Sequence, residues 1–589
     1  MIKHVRKKRG SPEVVSNSWV KSQRIFLIEV VTTNWKLLLQ ALLIIGAVFW
    51  IFSPVLHGDW LWDDDFYVTA NPLLNDPARL WKAWFEPGSF IEYYPIEQSV
   101  QWAQWQMWHT DTFGYHLTNV ILHVCSSLLI WYLFNKLDLK WAWLGGLLFA
   151  IHPVQVESVA WISELKNTLS LPPFLLAMCA FIDYEENKKR RDYLLALGFF
   201  LIAMLCKPTM VMFPVVLLLY LWWKQDRIKW SDLKVSTPFF TISLVLGITA
   251  ILIGNWYTQS QGDLSSDSVP LGGVFSRLAC AGSTLSFYFS KFFLPIELLP
   301  IYPQWTVNPP SLLQFLPWLI LGGVIYWLWT KRHDWGRHAL MGLGFFFISL
   351  MPFLGFNAIS YMWFTWVMDH FLYIPTIGLI GLVVAGLSQI NNSLSSSLRL
   401  CSIGIIVIAM LLLALKSHSY AEKFINEETL WTYTFQLNPQ ALPANDLGAA
   451  LLQKGQVTEA IEQFEYALRI KPNYAEAHNN LGNALIGMGR LSEAMDHYNQ
   501  ALQIKPNYAE ARNNLGCVFF KTGQFFGAIE QYRRALQINP DYVDAHDNLG
   551  TSFLQTGDAS EATEQFKAAL RINPNDTEAQ NNLMWLQKK

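Results

Sequence analysis

Three stretches near the C-terminus, KPNYAEAHNNLG (471–482), KPNYAEARNNLG (505–516) and NPDYVDAHDNLG (539–550), repeat one phrase every 34 residues. A fixed period of this length marks a solenoid, in which each unit is a small supersecondary element that buries its apolar face only against its neighbours. The phrase keeps a Leu-Gly pair, an Ala, an aromatic residue and a Pro in constant phase. In the unit beginning at Ala475 these are Leu481, Gly482, Leu485, Ala494, Tyr498, Ala501 and Pro506. The small residues let two helices approach closely, the Leu and Tyr fill the space between them, and the Pro ends the second helix.

This is the signature of the tetratricopeptide repeat (TPR). Four repeats fit at 441–474, 475–508, 509–542 and 543–576, with a solvating last helix at 577–587. One register stands apart. The residue before each Leu-Gly, or its equivalent, is Asp446, Asn480, Asn514, Asn548 and Asn582. These fall once per repeat on the first helix, which lines the concave face. An Asn amide both donates and accepts, so it can pair with a peptide backbone of any sequence. Asn480, Asn514, Asn548 and Asn582 are therefore candidate acceptor-peptide contacts, with local capping as the competing role.

Upstream of the repeats the chain is of another kind. Of 589 residues, 52% are hydrophobic and 27 are Trp, and the mean hydropathy is +0.22, which is more apolar mass than a soluble protein of this size carries. A net charge of −2 gives no reason to expect nucleic acid. The six cysteines have no CxxC or clustered spacing and read as buried small hydrophobes. Seven basic residues between Lys3 and Arg24 precede the first apolar run, with no cleavage pattern behind it, so a retained first membrane helix is expected.

A span needs about 20 apolar residues. Candidates lie at 36–56, 117–134, 141–157, 168–183, 193–206, 209–223, 237–256, 313–330, 339–356, 371–389 and 400–416. Stretch 277–294 reads as a helix lying at, or dipping into, one face. With the N-terminus (1–35) in the cytosol, the basic clusters KLDLK (136–140), NKKRR (187–191), KQDRIKWSDLK (224–234) and KRHDWGR (331–337) all fall on that side. The expected fold is thus all-α: a polytopic membrane helix bundle (36–416) of about eleven spans, a linker (417–440), and an extracytosolic TPR α-solenoid (441–589). The longest loop, 57–115, also faces outward.

Four groups of ionisable residues fall on the outer side. Asp63, Asp64 and Asp65 lie in Trp62-Asp63-Asp64-Asp65-Phe66-Tyr67, whose aromatic flanks would bury them. A desolvated carboxylate there suits a general base for a hydroxyl, or a cation ligand. HPVQVESVAWISELKN (152–167) places His152, Glu157, Glu164 and Lys166 beside a membrane helix, where polar groups mark sites by default. Lys207 is a lone cation between two spans, either snorkelling or facing a lipid phosphate; Arg277 and Lys291 could share that work. Asp369 and His370 open the tenth span.

These residues together resemble the transmembrane and TPR-containing O-mannosyltransferases, and more closely bacterial-type relatives. The likeness rests on WDDDFYVTANP (62–72), YYP (93–95), FGYHLTNVILH (113–123), HPVQVESVAWISELKN, CKP (206–208), DHFLYIPTIGL (369–379) and the repeats, in that order. It implies a membrane glycosyltransferase of the C superfamily, taking a sugar from polyprenyl phosphate on the extracytosolic face. By position relative to Asn71-Pro72, Asp63 and Asp64 match the family's acidic pair. His370 stands where relatives commonly carry Arg, so a donor-phosphate contact there would depend on pH.

The implied reaction is a single inverting displacement. Lys207, with His152, Glu157, Lys166, Asp369 and His370 around it, would hold the donor phosphate or sugar. Asp63 or Asp64 would deprotonate a Ser or Thr hydroxyl of a polypeptide lying along the repeats. Polyprenyl phosphate is itself charged, so no cofactor is required, though the Asp cluster could hold a divalent metal. The implied place is a multi-pass cell (inner) membrane with the repeats in the periplasm. The alternatives are glycosyl transfer to an envelope polysaccharide, or a membrane-anchored scaffold without enzymatic activity.

Overall fold

The computed structural model describes residues 35–588 except 70, 72–73, 75–79, 87–91, 261–270 and 357–358. The basic N-terminus, Pro72, Asp76 and Arg79 therefore lie outside the described residues. The described part is helical throughout, in two modules joined by a short helix.

In the first module, six helices are long and apolar enough to cross a membrane: Trp35–His57, Phe113–Lys136, Ile162–Asn187, Trp230–Gly254, Leu312–Thr330 and Ser396–Phe424. The remaining expected spans are helical but shorter or interrupted. Stretch 141–157 becomes a helix Ala142–Ile151, one 3-10 turn at Pro153–Gln155 and a five-residue helix Val156–Ala160. Stretch 209–223 opens as a 3-10 turn Pro208–Met212, and 339–356 ends in one at Met351–Phe353. Prolines stand at each break, where the missing N–H and the ring deny the α-helical ladder its continuation. The helix Val274–Phe293 is not among the six. It packs Ala279, Cys280, Leu285 and Tyr288 inward and leaves Phe275 and Phe289 exposed.

Helix Ile162–Asn187 is central, 72% buried along its apolar window, whereas the windows of Leu312–Thr330 and Ser396–Phe424 are 6% and 0% buried. Leu400, Ile405, Leu411 and Leu412 on that last helix stay exposed; in a bilayer such side chains face lipid at no cost. Cysteines divide the same way. Cys179, Cys206 and Cys280 are buried, but Cys125 and Cys401 are exposed, which corrects the expectation that they are core residues. Hydropathy alone does not distinguish the core face of these helices from the lipid face: helix Phe113–Lys136 buries its polar residues His116, Asn119, His123, Ser126 and Ser127 and leaves Cys125 outside.

The second module is four helix pairs, Ala441–Gln453 with Val457–Ile470, Ala475–Gly487 with Leu491–Ile504, Ala509–Lys521 with Phe525–Ile538, and Val543–Thr556 with Ala559–Ile572, followed by Thr577–Lys588. The repeated glycine has a direct cause. A Cβ built on Gly482 would sit 2.6 Å from the Tyr498 ring, and on Gly448, Gly516 and Gly550 at 2.6–2.7 Å from Phe464, Tyr532 and Phe566. Within each pair the turn carries a second glycine, Gly455, Gly489, Gly523 or Gly557, with φ between +74° and +89°, the left-handed region that favours Gly.

The segment expected to be a linker is packed structure. Helix Glu427–Leu437 buries Leu430 and Trp431 and is tied to the membrane module by Tyr433 Oη donating to Leu298 O (2.9 Å). Just beyond it, Asn438 Nδ2 donates to Ile301 O (3.1 Å).

Candidate functional site

The acidic run sits on the turn that follows the first membrane helix. Trp62 adopts φ +42°, a conformation that bulky residues seldom take, and Asp65–Thr69 continues as a π-helical turn. Strain of this kind persists where surrounding contacts over-determine it. Those contacts are visible. The Trp62 ring stacks on Trp161 (centroids 5.3 Å, 13°) and meets Trp431 edge-on (5.3 Å). Its backbone N–H donates to Glu427 Oε1 (3.0 Å).

The turn gives the neighbouring aspartates different surroundings. Asp64 is fully buried. Its Oδ2 accepts the Leu61 N–H (2.9 Å) and its Oδ1 the Ser163 N–H (2.8 Å), so it fastens the loop to the short helices after Ile151. Burial pushes its carboxyl up to about 8, against the pull of those two N–H groups. Asp63 is half-buried, and among the described residues no side chain or backbone group donates to its carboxylate. Burial raises it to about 6, Lys166 draws it back down, and Glu164 and Glu92 push it up. Asp63 is thus a carboxylate with free lone pairs near a cation. Asp65 is exposed.

Behind Asp63 lies a buried polar cluster. Lys166 Nζ is 3.5 Å from Glu164 Oε1 and 3.9 Å from Glu92 Oε2, and stands over the Tyr67 ring (4.7 Å). Tyr67 Oη donates to Glu92 (3.3 Å). Asn167 Nδ2 donates to Glu164, and Lys207 Nζ donates to Asn167 Oδ1. His370 Nδ1 is 2.6 Å from Glu157 Oε1, and its Nε2 is 3.8 Å from Glu164. The Asp369 N–H donates to Glu157 Oε2 (3.1 Å). The Asp369 carboxylate accepts from Tyr302 Oη (2.9 and 3.0 Å to its two oxygens). Glu97, on helix Pro95–Trp108, is buried and pushed up to about 8, with Lys166 the largest charge acting to lower it.

Residues from six separate stretches (63–67, 92–97, 157–167, 207, 302 and 369–370) therefore meet, and most of the proposed site residues are among them. His152 is the exception. Its Nε2–H donates to Phe292 O (3.0 Å) and its ring stacks on Phe292 (5.0 Å), so it anchors helix Val274–Phe293. Arg277 donates to Phe356 O (2.6 Å), a contact across 79 residues, and Lys291 donates to the nearby carbonyls of Ile296 and Glu297 (2.6 and 2.9 Å); both are committed to backbone carbonyls. Glu92, Asn167 and Tyr302 were not singled out by sequence reasoning. Glu92 adjoins YYP and Asn167 closes HPVQVESVAWISELKN, so both stood within reach of the motifs. Tyr302 has no such signal.

An apolar cleft opens beside the cluster. Lys207, His370 and Asn167 lie at its polar end, and Phe174, Met210 and Phe353 are among its apolar walls. Lys207 is 4% exposed and sits within 5.9 Å of the Phe353 and Phe371 rings. Among the described residues no group of three or more His, Cys, Asp or Glu is arranged to hold a metal ion.

The repeat ladder is partly used up by the array itself. Asn480 Nδ2 donates to Asn445 Oδ1, Asn514 to Asn479 and Asn483, and Asn548 to Asn513, each at 3.0 Å. These bonds stitch one repeat to the next and leave carbonyl oxygens as the ladder's main offer to a ligand. Asn582 is half-buried on the last helix. The first rung differs. Asp446 takes Asn445 Nδ2 on Oδ1 (2.9 Å) and has no partner at Oδ2; the charges acting on it are Glu427, Asp63 and Glu476. The ladder thus begins beside Asp63.

Comparison with known proteins finds both kinds of segment. Residues 96–253 match the family described as dolichyl-phosphate-mannose-protein mannosyltransferase. Residues 448–489, 482–523 and 518–557 match TPR repeats, and 543–576 a further tetratricopeptide repeat. The acidic run lies N-terminal to the mannosyltransferase match. Protein O-mannosyl-transferase Tmtc3 of Drosophila melanogaster is 25% identical over 62% of this chain and 47% of its own length. Human protein O-mannosyl-transferase TMTC1 is 24% identical over 74% and 56%, and mouse TMTC4 25% over 72% and 66%. The chain spans about half the length of the first of these relatives. With a match to the mannosyltransferase family over residues 96–253 followed by tetratricopeptide repeats, the chain is similar to the TPR-containing protein O-mannosyl-transferases.

Proposed function

We propose that this chain is an integral-membrane glycosyltransferase that moves a sugar from a polyprenyl-phosphate donor to a Ser or Thr hydroxyl of a polypeptide held along the repeats. The observation that carries the reading is the position of Asp63. Among the described residues it is a carboxylate without a hydrogen-bond donor, near Lys166 and near Asp446, the first rung of the repeat ladder, while Lys207, joined to the same polar cluster through Asn167, heads the apolar cleft. A lipid chain suits the apolar walls, and a phosphate suits the ammonium at their polar end.

In the proposed reaction the acceptor oxygen attacks the anomeric carbon, the C1–O bond to phosphate breaks, and the hydroxyl proton passes to Asp63. The leaving polyprenyl phosphate carries away the electron pair, with Lys207 stabilising the charge that develops on it. Asp64 is a positioning residue, which narrows the original pair to one base. Glu157 orients His370 rather than meeting the phosphate, so Lys207 takes the role that Arg would fill at position 370. Charge distribution favours the extracytosolic face for this chemistry.

The test compares glycopeptides from cells carrying wild type and Asp63→Asn, with membrane abundance matched. Loss of a specific O-linked hexose in the variant supports the reading. Unchanged protein glycosylation with altered surface polysaccharide would replace the acceptor, and no change in either would leave a scaffold.

A further inference from the structure

Where the membrane module meets the first repeat, a second cavity of about 390 Å³ opens. Gln304, Trp363 and Phe364 line it from one module; Asn438, Gln440 and Tyr474 line it from the other. Asn438 is only 1% exposed. Its Nδ2 is taken by Ile301 O, and its Oδ1 has no partner. Gln304 likewise commits Nε2 to Met362 O (2.8 Å). Among the described residues the buried Asn438 Oδ1 therefore lacks a donor, and a buried acceptor left in that state is costly; Gln304 is exposed, so its Oε1 is open to solvent or a ligand.

The surrounding chemistry narrows what could supply the donors. The Phe364 ring is 47% exposed and Trp363 is half-buried beside it. Among the described residues no carboxylate lines the cavity, so a cation is a poor occupant. Lys471, the one cation among the described lining residues, stands over the Tyr474 ring at 4.9 Å. Aromatic faces flanked by neutral amides suit a neutral saccharide, whose hydroxyls donate to the amide oxygens while its C–H face lies on a ring. Volumes of this order hold a small ligand.

We infer that this cavity is a saccharide site separate from the donor cleft, taking a neutral hexose or short glycan already carried by the acceptor. The identity of that carrier rests on the proposed transfer to protein; the binding itself does not. Tyr302 also lines the cavity while its hydroxyl donates to Asp369, so an occupant touches the buried cluster through one side chain. Acceptors that already bear a sugar are then held better than bare ones.

The full chain in lipid nanodiscs can be tested by saturation-transfer NMR with methyl α-mannoside, and with two synthetic peptides differing only in one O-linked mannose. Gln440→Ala and Phe364→Ala should each weaken binding of the mannoside and the mannosylated peptide by about tenfold or more. Asp63→Asn should leave both unchanged. The inference is overturned if neither cavity variant alters saccharide binding, or if bare and mannosylated peptides bind alike. Equal peptide binding that Gln440→Ala abolishes would make the cavity a peptide pocket instead. Because the readout is binding, an inactive transferase with intact saccharide binding refutes only the transfer reaction.

Discussion

Asp64 accepts the backbone N–H of Ser163 at 2.8 Å, across 99 residues of sequence. That bond, with the Leu61 N–H on its other oxygen, locks the acidic turn to the start of the central membrane helix. It leaves Asp63 as the aspartate facing Lys166. Two adjacent, chemically identical side chains are thereby separated into a fastener and a base.

Asp63→Asn should lower transfer by about 10²–10⁴-fold with no loss of thermal stability, because its carboxylate holds no described hydrogen bond. Asp64→Ala should instead loosen the turn. It orphans two buried N–H groups at about 1–3 kcal/mol each, readable as a lower thermal midpoint and faster proteolysis between residues 58 and 70.

The pH response of activity follows from Asp63. A base raised to about 6 is protonated and inactive below that value and ionised above it. Transfer should rise through pH 6 and then level off. A membrane-based assay from pH 4.5 to 8 checks this, and a limb that persists at the same position in Asp63→Asn residual activity would assign it to another group.

Stability should respond to pH through Asp64 in the opposite sense. Its folded value of about 8 lies above the ordinary 3.8, so the folded form holds a proton that the unfolded form releases between those values. Stability therefore falls as pH rises through that window. Asp64→Asn keeps a neutral side chain of similar shape and should flatten this part of the thermal-midpoint profile.

Gly482→Ala should destabilise the array by about 1–3 kcal/mol, since the new Cβ meets the Tyr498 ring at 2.6 Å. Gly487→Ala on the same helix meets nothing within 4 Å and should be neutral or stabilising by about 0.5–1 kcal/mol. Thermal unfolding of the two full-length variants measures the contrast.

Trp62→Ala should unseat the repeats from the membrane module, because the Trp62 ring bridges Trp161 and Trp431. Hydrogen exchange in residues 427–437 should accelerate several-fold, while exchange within the repeats beyond 475 stays as in wild type.

The repeats were legible because their constraint is local and recurs. Each Leu-Gly answers the same ring one helix away, so the period alone locates Gly482 opposite Tyr498. Apolar runs located the membrane helices for a similar reason, through composition over about 20 residues. Prolines at 153, 208 and 352 marked where those helices break, yet a run such as 141–157 still read as one span because hydropathy ignores backbone breaks.

The site divides along the same line. Motif order by itself brought forward Asp63, Asp64, Lys166, Lys207 and His370, since ionisable residues are expensive beside a membrane and therefore stand out. It said nothing of which aspartate is free, why His152 binds Phe292 instead of the cluster, or that Tyr302 reaches Asp369 across 67 residues. Those facts depend on which N–H, ring or carbonyl a side chain finds after the helices pack. Periodicity and composition are properties of neighbours in the chain and were determined by the sequence alone. The roles of individual polar groups are set by partners distant in the chain, and only the tertiary structure decided them.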